Sequence, residues 1–510
     1  MAITQDLLAR LTGVNRPKTI SNALPGSDVQ LLAALARKSG DNGAPSLLHV
    51  ALDDTRMLQM RDQFSFFAPD VEVITLPAWD CLPYDRVSPN ADICAARIRA
   101  LASLQTQAQG PRIVLTTLNA ASQRVVPRDW LTSASLTLQR GDALSMEELT
   151  DFLTQRGYIR ATTVNEPGDF AIRGGLADFW PSGSAEPVRI DFFGDEIDSL
   201  RAFDPISQRT THSLDVLQIV PAGELDFSPE AIRRFRKRYV ELFGTVMDDD
   251  PIYAAASEGR RAPGIDHWMP LFFSSLETVF DLLYEEATVT LDAAIDGAAG
   301  ERFKAIQDYY ETRKEALNHE GSLSAPYKPL PPEQLYVGET EWGQLLTDLQ
   351  AVTLSPFELA GPTNLSLGAK AGRNFAPERK EGGNIYDAVA KHCTSVRKRG
   401  LKPVIVAYST GAAERLATVL ADHGIDQMEL VEKGQAAKGV ADTAVALAVL
   451  PLESGFEFDG LAWLTEQDVL GDRLIRKARK TKKAENFLTE VTQLSPGDHV
   501  VHVDHGIGRF

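Results

Sequence analysis

Three groups of residues in this 510-residue chain have types and spacings that could do chemistry. His499, His502 and His505 recur at every third position, as in a short metal-binding tract. Asp195-Glu196-Ile197-Asp198 has the form of the carboxylate box with which helicases hold a metal ion. Cys81, Cys94 and Cys393 supply thiols. None of the three completes a site. On a strand, residues three apart alternate between faces, so three imidazoles would not converge on one ion. The acidic box follows a strand and a turn and reads as an exposed acidic bend. The cysteines are too few and too scattered for a zinc cage or a disulfide framework, which points to a reducing, cytosolic compartment. A phosphate cradle needs Gly-Lys-Ser or Gly-Lys-Thr, so that backbone N–H groups, a lysine and a magnesium-binding hydroxyl converge. Neither tripeptide occurs, and where the first α/β turn should carry it the chain reads Pro25-Gly26-Ser27-Asp28. No serine in a glycine elbow stands beside a triad partner. The expectation is a chain with no catalytic residue, no metal and no cofactor, working by binding other macromolecules.

Two stretches could do that binding. Arg473, Arg476, Lys477, Arg479, Lys480, Lys482 and Lys483 lie within one short segment of a chain whose net charge is −18. A net acidic surface repels a phosphate backbone unless a basic face is set apart from it, so the chain should not wrap nucleic acid unaided. The segment reads either as a solvated helix end entering a linker or as a phosphate or acidic-partner contact through Arg476, Lys477, Arg479 and Lys480. The second stretch is Glu166–Asp178, where Arg173 stands beside two glycines, followed by Pro187–Phe193. Alternation over Val188–Phe193 puts Arg189, Asp191 and Phe193 on one face and Ile190 and Phe192 on the core side. Arginine with a neighbouring aromatic on one exposed sheet face is the composition of an interface hot spot. The other reading is an arginine paired with Asp178 or Asp191 inside the module. On the hot-spot reading, truncating Arg189 costs binding and leaves stability near its original level.

The elements that must position these residues follow from periodicity. The length implies about three or four domains. Ser46–Leu52, Val71–Leu76 and Arg112–Leu118 are short apolar runs of strand length, separated by amphipathic helices at Val29–Lys38 and Ile93–Leu104. That order predicts parallel strands with crossover helices. From Val164 to Asp204 the chain is strand-rich and punctuated by Pro167-Gly168, Gly174-Gly175 and Gly194-Asp195, an α+β module. A helix over Pro229–Phe243 follows, with Ser228 as N-cap and Gly244 closing it. A strand at Thr288–Leu291 and a second α/β unit come next, the latter with strands at Pro403–Tyr408, Val445–Leu450 and Leu461–Leu464 and a helix at Ala412–Asp422. Pro496–Phe510 opens a new β module, so the chain reads as part of a longer protein. No N-terminal signal pattern and no run of roughly 20 apolar residues occurs, so no membrane is expected.

The residues EPGDFAIRGGLADFWP and PVRIDFFGDEIDSLRAFDPISQRT resemble the N-terminal region of the bacterial transcription-repair coupling factor family, Mfd. LPAWDCLPYDRVSPN, GIDHWMPLFF, LTEQDVLGDR and VVHVDHGIGRF extend the resemblance over nearly the whole chain, in family order. It implies a multidomain α/β protein: degenerate UvrB/RecA-like α/β domains with an inserted α+β partner-binding module and a further small α/β domain. Residues 1–134 with 220–260 would be the first UvrB-like domain, lacking a phosphate loop, and 135–219 the inserted UvrA-binding module. Residues 261–350 would be a second UvrB-like domain and 372–472 the small α/β domain. Residues 473–495 would be a basic linker, and 496–510 the incomplete start of the domain that contacts RNA polymerase. The family's UvrA contacts match Arg173, Arg189 and Phe193. The implied function is an adaptor that recruits UvrA to stalled transcription in nucleotide excision repair, without ATPase activity here, since the family's motor domains come later. ATP and magnesium are expected only with those domains, and DNA is expected to bind weakly if at all. The alternatives are a UvrB-type nucleotide-dependent helicase and a standalone DNA-binding module.

Overall fold

The computed structural model describes residues 3–13, 16–39, 47–105, 110–244, 250–283, 287–317, 327–471, 499–502 and 506–509. The three apolar runs near the start form strands Leu47–Ala51, Glu72–Leu76 and Arg112–Thr117. They belong to a seven-stranded parallel sheet in the order Asn364–Ser366, Thr19–Ser21, Val352–Leu354, Thr288–Asp292, Leu47–Ala51, Arg112–Thr117, Glu72–Leu76. Leu47–Ala51 and Arg112–Thr117 are buried at every position, which is why they read as continuous rather than alternating runs. The crossover helices are Ser27–Ser39, Asp54–Phe67 and Ala91–Leu104. Asp53 starts the second by accepting the Arg56 N–H at 2.8 Å, and Asn90 starts the third in the same way from Asp92 at 2.9 Å.

The sheet corrects the boundary expected at residue 260. Thr288–Asp292 lies between Leu47–Ala51 and Val352–Leu354, with Thr288 opposite Leu47 and Leu291 opposite Thr353. Residues 261–350 therefore contribute a central strand to the first sheet instead of forming a second body of their own. A buried Thr-Val-Thr-Leu run fits any parallel sheet equally well, so periodicity alone does not choose its neighbours.

The inserted module closes on itself. Leu136–Gln139 pairs antiparallel with Val216–Ile219 at its base, within the expected limits of 135–219. Between them stands a six-stranded sheet ordered Thr210–Ser213, Glu196–Phe203, Val188–Phe193, Leu176–Phe179, Asp169–Arg173, Ile159–Arg160. Its inner face packs on the helix Met146–Gln155, which a capping box of Ser145 and Glu148 starts. The chain returns to the first sheet through Glu224. That carboxylate is forked by Arg97 at 2.7 and 3.0 Å and takes the Trp79 indole N–H at 2.9 Å, with Arg97 and Glu224 both buried. The helix Pro229–Phe243 follows, with Ser228 accepting the Ala231 N–H at 3.3 Å and Gly244 ending it at φ 74°.

The C-terminal α/β unit has strands in the order Lys370–Ala371, Phe456–Phe458, Leu461–Thr465, Lys402–Ala407, Val445–Val449, Met428–Val431. One face of this sheet shares a core with the Ser27–Ser39 and Asp54–Phe67 helices. Trp463 meets Phe67 edge-on at 5.2 Å and stacks on Phe456 at 5.8 Å. Near the end of the chain, His499–His502 pairs antiparallel with Gly506–Arg509, so the expected β segment begins as a hairpin.

His267 lies in the core beneath the first sheet, edge-on to Trp79 at 5.6 Å and stacked on Tyr84 at 6.4 Å. Burial pulls its pKa down to about 4; Asp85 opposes that and Arg313 adds to it. The folded imidazole therefore stays neutral while the unfolded one gains a proton below about pH 6.5. Stability is full above that pH and falls as pH drops toward 4, with a loss of about 3 kcal/mol from this group. Urea unfolding at pH 7 and pH 4.5 should show a smaller pH penalty in His267→Leu than in the original protein. An equal penalty in both would remove His267 from the account.

Candidate partner-binding face

The face is built by two hairpins set side by side. Asp169–Arg173 and Leu176–Phe179 are joined by Gly174-Gly175, and Val188–Phe193 and Glu196–Phe203 by Gly194-Asp195. Each turn opens with a glycine at positive φ, 59° at Gly174 and 64° at Gly194, a conformation that favours a residue without Cβ. The Phe192 N–H donates to Gly175 O at 2.9 Å and locks the two tips together.

Alternation along Val188–Phe193 is as the sequence implies. Val188 and Ile190 are buried in the module core and Phe192 packs partly against it. Phe193 points away and is 83% exposed, among the most exposed large apolar side chains described. Arg173 is exposed and donates to Thr162 O at 2.6 Å and Thr163 Oγ1 at 2.9 Å, which holds its guanidinium against the neighbouring segment.

Arg189 differs from the hot-spot reading. Its guanidinium forks onto Asp178, Nε to Oδ1 at 2.7 Å and Nη2 to Oδ2 at 2.8 Å, and lies over the Phe203 ring at 4.9 Å. The Asp178 side chain is 4% exposed and that of Arg189 17%. The hydrogen bonds that Arg189 donates to Asp178 raise its pKa, against desolvation. The register explains the pairing, because Asp178 and Arg189 are directly opposite on adjacent strands. Arg189 is thus engaged inside the module, and the expectation that its truncation spares stability is corrected. Asp191 is likewise engaged, by Arg201 and by the Ser199 hydroxyl.

Arg201 belongs to this face but was not legible from sequence. A register shift between Ile197 and Ser199 breaks the alternation, so Ile197 and Leu200 both face the core. Asp195, Glu196 and Asp198 are exposed, as an acidic bend would be. Arg473, Arg476, Lys477, Arg479, Lys480, Lys482 and Lys483 lie outside the described residues, as do His505 and the side chains of His499 and His502. Among the described residues no group of three or more His, Cys, Asp or Glu is arranged to hold a metal ion.

The Pro25–Asp28 turn has a carboxylate at its centre. Asp28 accepts the N–H groups of Gly26 at 2.8 Å and Val29 at 2.6 Å, and Arg56 from the next helix pairs with it. Backbone donors at the head of a helix after a parallel strand are those a phosphate would use. Gly26 adopts φ 92°, and a Cβ there would lie 2.6 Å from the Phe456 ring of the C-terminal unit.

A closed α+β module carried on a wound α/β scaffold defines the class, a multidomain α/β protein with an inserted module. Residues 136–225 match the UvrB interaction domain. The transcription-repair-coupling factor of Haemophilus influenzae is 30% identical over 512 residues, covering 98% of this chain and 42% of that protein. That of Escherichia coli is 31% identical over 488 residues, covering 94% and 41%. That of Mycobacterium bovis is 27% identical over 534 residues, covering 99% and 41%. Over nearly its whole length the chain is therefore similar to the N-terminal region of transcription-repair-coupling factors. It spans about two fifths of the length of these relatives. No helix among the described residues is long and apolar enough to cross a membrane.

Proposed function

We propose that this chain is an adaptor whose inserted module binds UvrA, in the cytoplasm, and so brings nucleotide excision repair to stalled transcription. The single observation that carries the reading is Phe193, an aromatic side chain 83% exposed on a rigid double-hairpin tip, inside a segment that matches the UvrB interaction domain. An exposed aromatic beside arginine, on strands and not on a mobile loop, suits a hot-spot anchor. Arg173 is the second contact; Arg189 sets the strand that presents Phe193. RNA polymerase is the further partner, through the domain that the hairpin at 499–509 would begin. Neither ATP hydrolysis nor autonomous damage recognition belongs to this reading.

Phe193→Ala should weaken binding to purified UvrA by roughly thirtyfold or more, the equivalent of about 2 kcal/mol at a central aromatic anchor. Its stability should stay within about 0.5 kcal/mol, because the side chain is 83% exposed and its loss removes little burial. Calorimetric titration with UvrA checks the first and urea unfolding the second. Unchanged affinity would overturn the interface. A salt-dependent titration with duplex DNA separates the adaptor from a DNA-binding module, which alone requires tight, steeply salt-sensitive binding.

A further inference from the structure

We infer that the outer edge of the Glu72–Leu76 strand is a docking groove for an extended peptide of a partner protein, one that brings an acidic side chain to Arg99. The inference does not rest on the UvrA reading, since the groove lies where the inserted module meets the scaffold and Phe193 stands at the hairpin tips. The strand ends the seven-stranded sheet, paired on one side with Arg112–Thr117 and on the other with no described strand. The Glu72 N–H donates to Pro111 O at 2.8 Å, so Glu72, Ile74 and Leu76 turn their backbone groups inward. Val73 and Thr75 then turn theirs outward, and no hydrogen bond among the described residues uses them. Unpaired N–H and C=O groups along a sheet edge are a template for another strand.

A groove of about 480 Å³ runs along this edge. Glu72, Val73, Ile74 and Thr75 all line it, whereas a wall made by one face of a strand would show every second residue. The second wall is one face of the Ala91–Leu104 helix, where Ala95, Ala96, Arg99 and Ala100 recur at helical spacing. The third is Pro167 with the Gly183–Ala185 turn of the inserted module. The alanines leave space for side chains of an entering strand, and Arg99 supplies the charge. Arg99 is exposed, and none of its donors has an acceptor among the described residues. Its side chain packs against Gly183, which adopts φ 71°; a Cβ there would lie 2.7 Å from Arg99 Nε. The acids of the lining do not compete for it. Glu72 accepts from Arg112 at 2.7 Å, and Asp92 stands about two helical turns away. An entering strand would thus find main-chain partners at Val73 and Thr75 and one unpaired cation beside them. That is the chemistry of strand addition, in which main-chain bonds give affinity and side chains give selectivity.

The test is fluorescence polarisation of the whole chain with labelled peptides of about eight residues, alternating valine and threonine. Each carries one glutamate or one lysine, placed at every threonine position in turn. Saturable binding of at least one glutamate peptide is expected, about tenfold or more tighter than of its lysine counterpart. Arg99→Glu should reverse that preference, which a merely structural arginine would not do. N-methylation of every second peptide amide should abolish binding in one phase and spare it in the other, as strand pairing alone requires. Thr75→Pro removes an outward N–H and leaves the inner ladder, so it should weaken binding about tenfold with little change in Tm. If Thr75→Pro fails to fold, Arg99→Glu and the methylated peptides still decide. Phe193→Ala should bind these peptides as the original protein does, which separates this groove from the UvrA face. No saturable binding by the original protein, or equal binding of glutamate and lysine peptides, overturns the inference. A concentration-dependent dimer in sedimentation, lost in Thr75→Pro, would assign the edge to a second copy of this chain and overturn it as well.

Discussion

Arg189→Ala is expected to destabilise the inserted module by about 3–5 kcal/mol, the cost of leaving a buried carboxylate without its partner. The competing estimate is an exposed ion pair, worth about 0–1 kcal/mol. Burial decides between them: the Asp178 side chain is 4% exposed, and the pair is a two-pronged fork at 2.7 and 2.8 Å. Loss of the guanidinium from the Phe203 face adds roughly 0.5–1 kcal/mol. Urea unfolding of the single variant, of Asp178→Ala and of the double variant forms a cycle. The double variant should recover much of the loss, since no charge is then stranded. A single variant as stable as the original would show that water reaches Asp178. UvrA binding by Arg189→Ala has meaning only at temperatures where circular dichroism shows the module folded. Phe193→Ala carries no such condition.

The strands and the face were legible because their signals are local. Val188–Phe193 alternates, Gly174 and Gly194 mark turns, and the buried runs at 47–51 and 112–117 are short and apolar. What the sequence left open was set by partners distant along the chain, as in the choice between a free Arg189 and one paired with Asp178. Arg189 and Phe193 have the same parity, yet one meets Asp178 across a strand pair and the other stands 83% exposed. Only the register separates a structural arginine from a free aromatic. Thr288–Asp292 joins the first sheet some 240 positions from its neighbour, a choice that a TVTL run does not encode. The shift at Asp198 conceals Arg201, because one extra residue reverses every later side chain on the strand.

The Pro25–Asp28 turn adds to the argument against nucleotide binding something the missing lysine does not. The acceptor position that a phosphate would take on the Gly26 and Val29 N–H groups holds the Asp28 carboxylate. Arg56 neutralises that carboxylate from the Asp54–Phe67 helix, and Phe456 with Leu452 of the C-terminal unit stands over Gly26. An incoming phosphate would have to displace a fixed internal anion and then meet two aliphatic and aromatic side chains in place of a lysine. Asp28→Ala is therefore expected to cost about 2–4 kcal/mol, combining loss of the helix-start acceptor with a stranded guanidinium. The figure lies below a full buried-pair penalty because Arg56 Nε has a second carboxylate, Asp292, at 3.7 Å. Asp28→Asn keeps an acceptor for the two N–H groups and should lose about half as much. Magnesium-ATP should leave the Tm of the original protein unchanged, and that of Asp28→Ala also, since neither has a lysine to hold the phosphates. A saturable rise in Tm with magnesium-ATP that disappears on substituting Arg56 would show that the turn accepts a phosphate after all, and would restore the helicase-type reading.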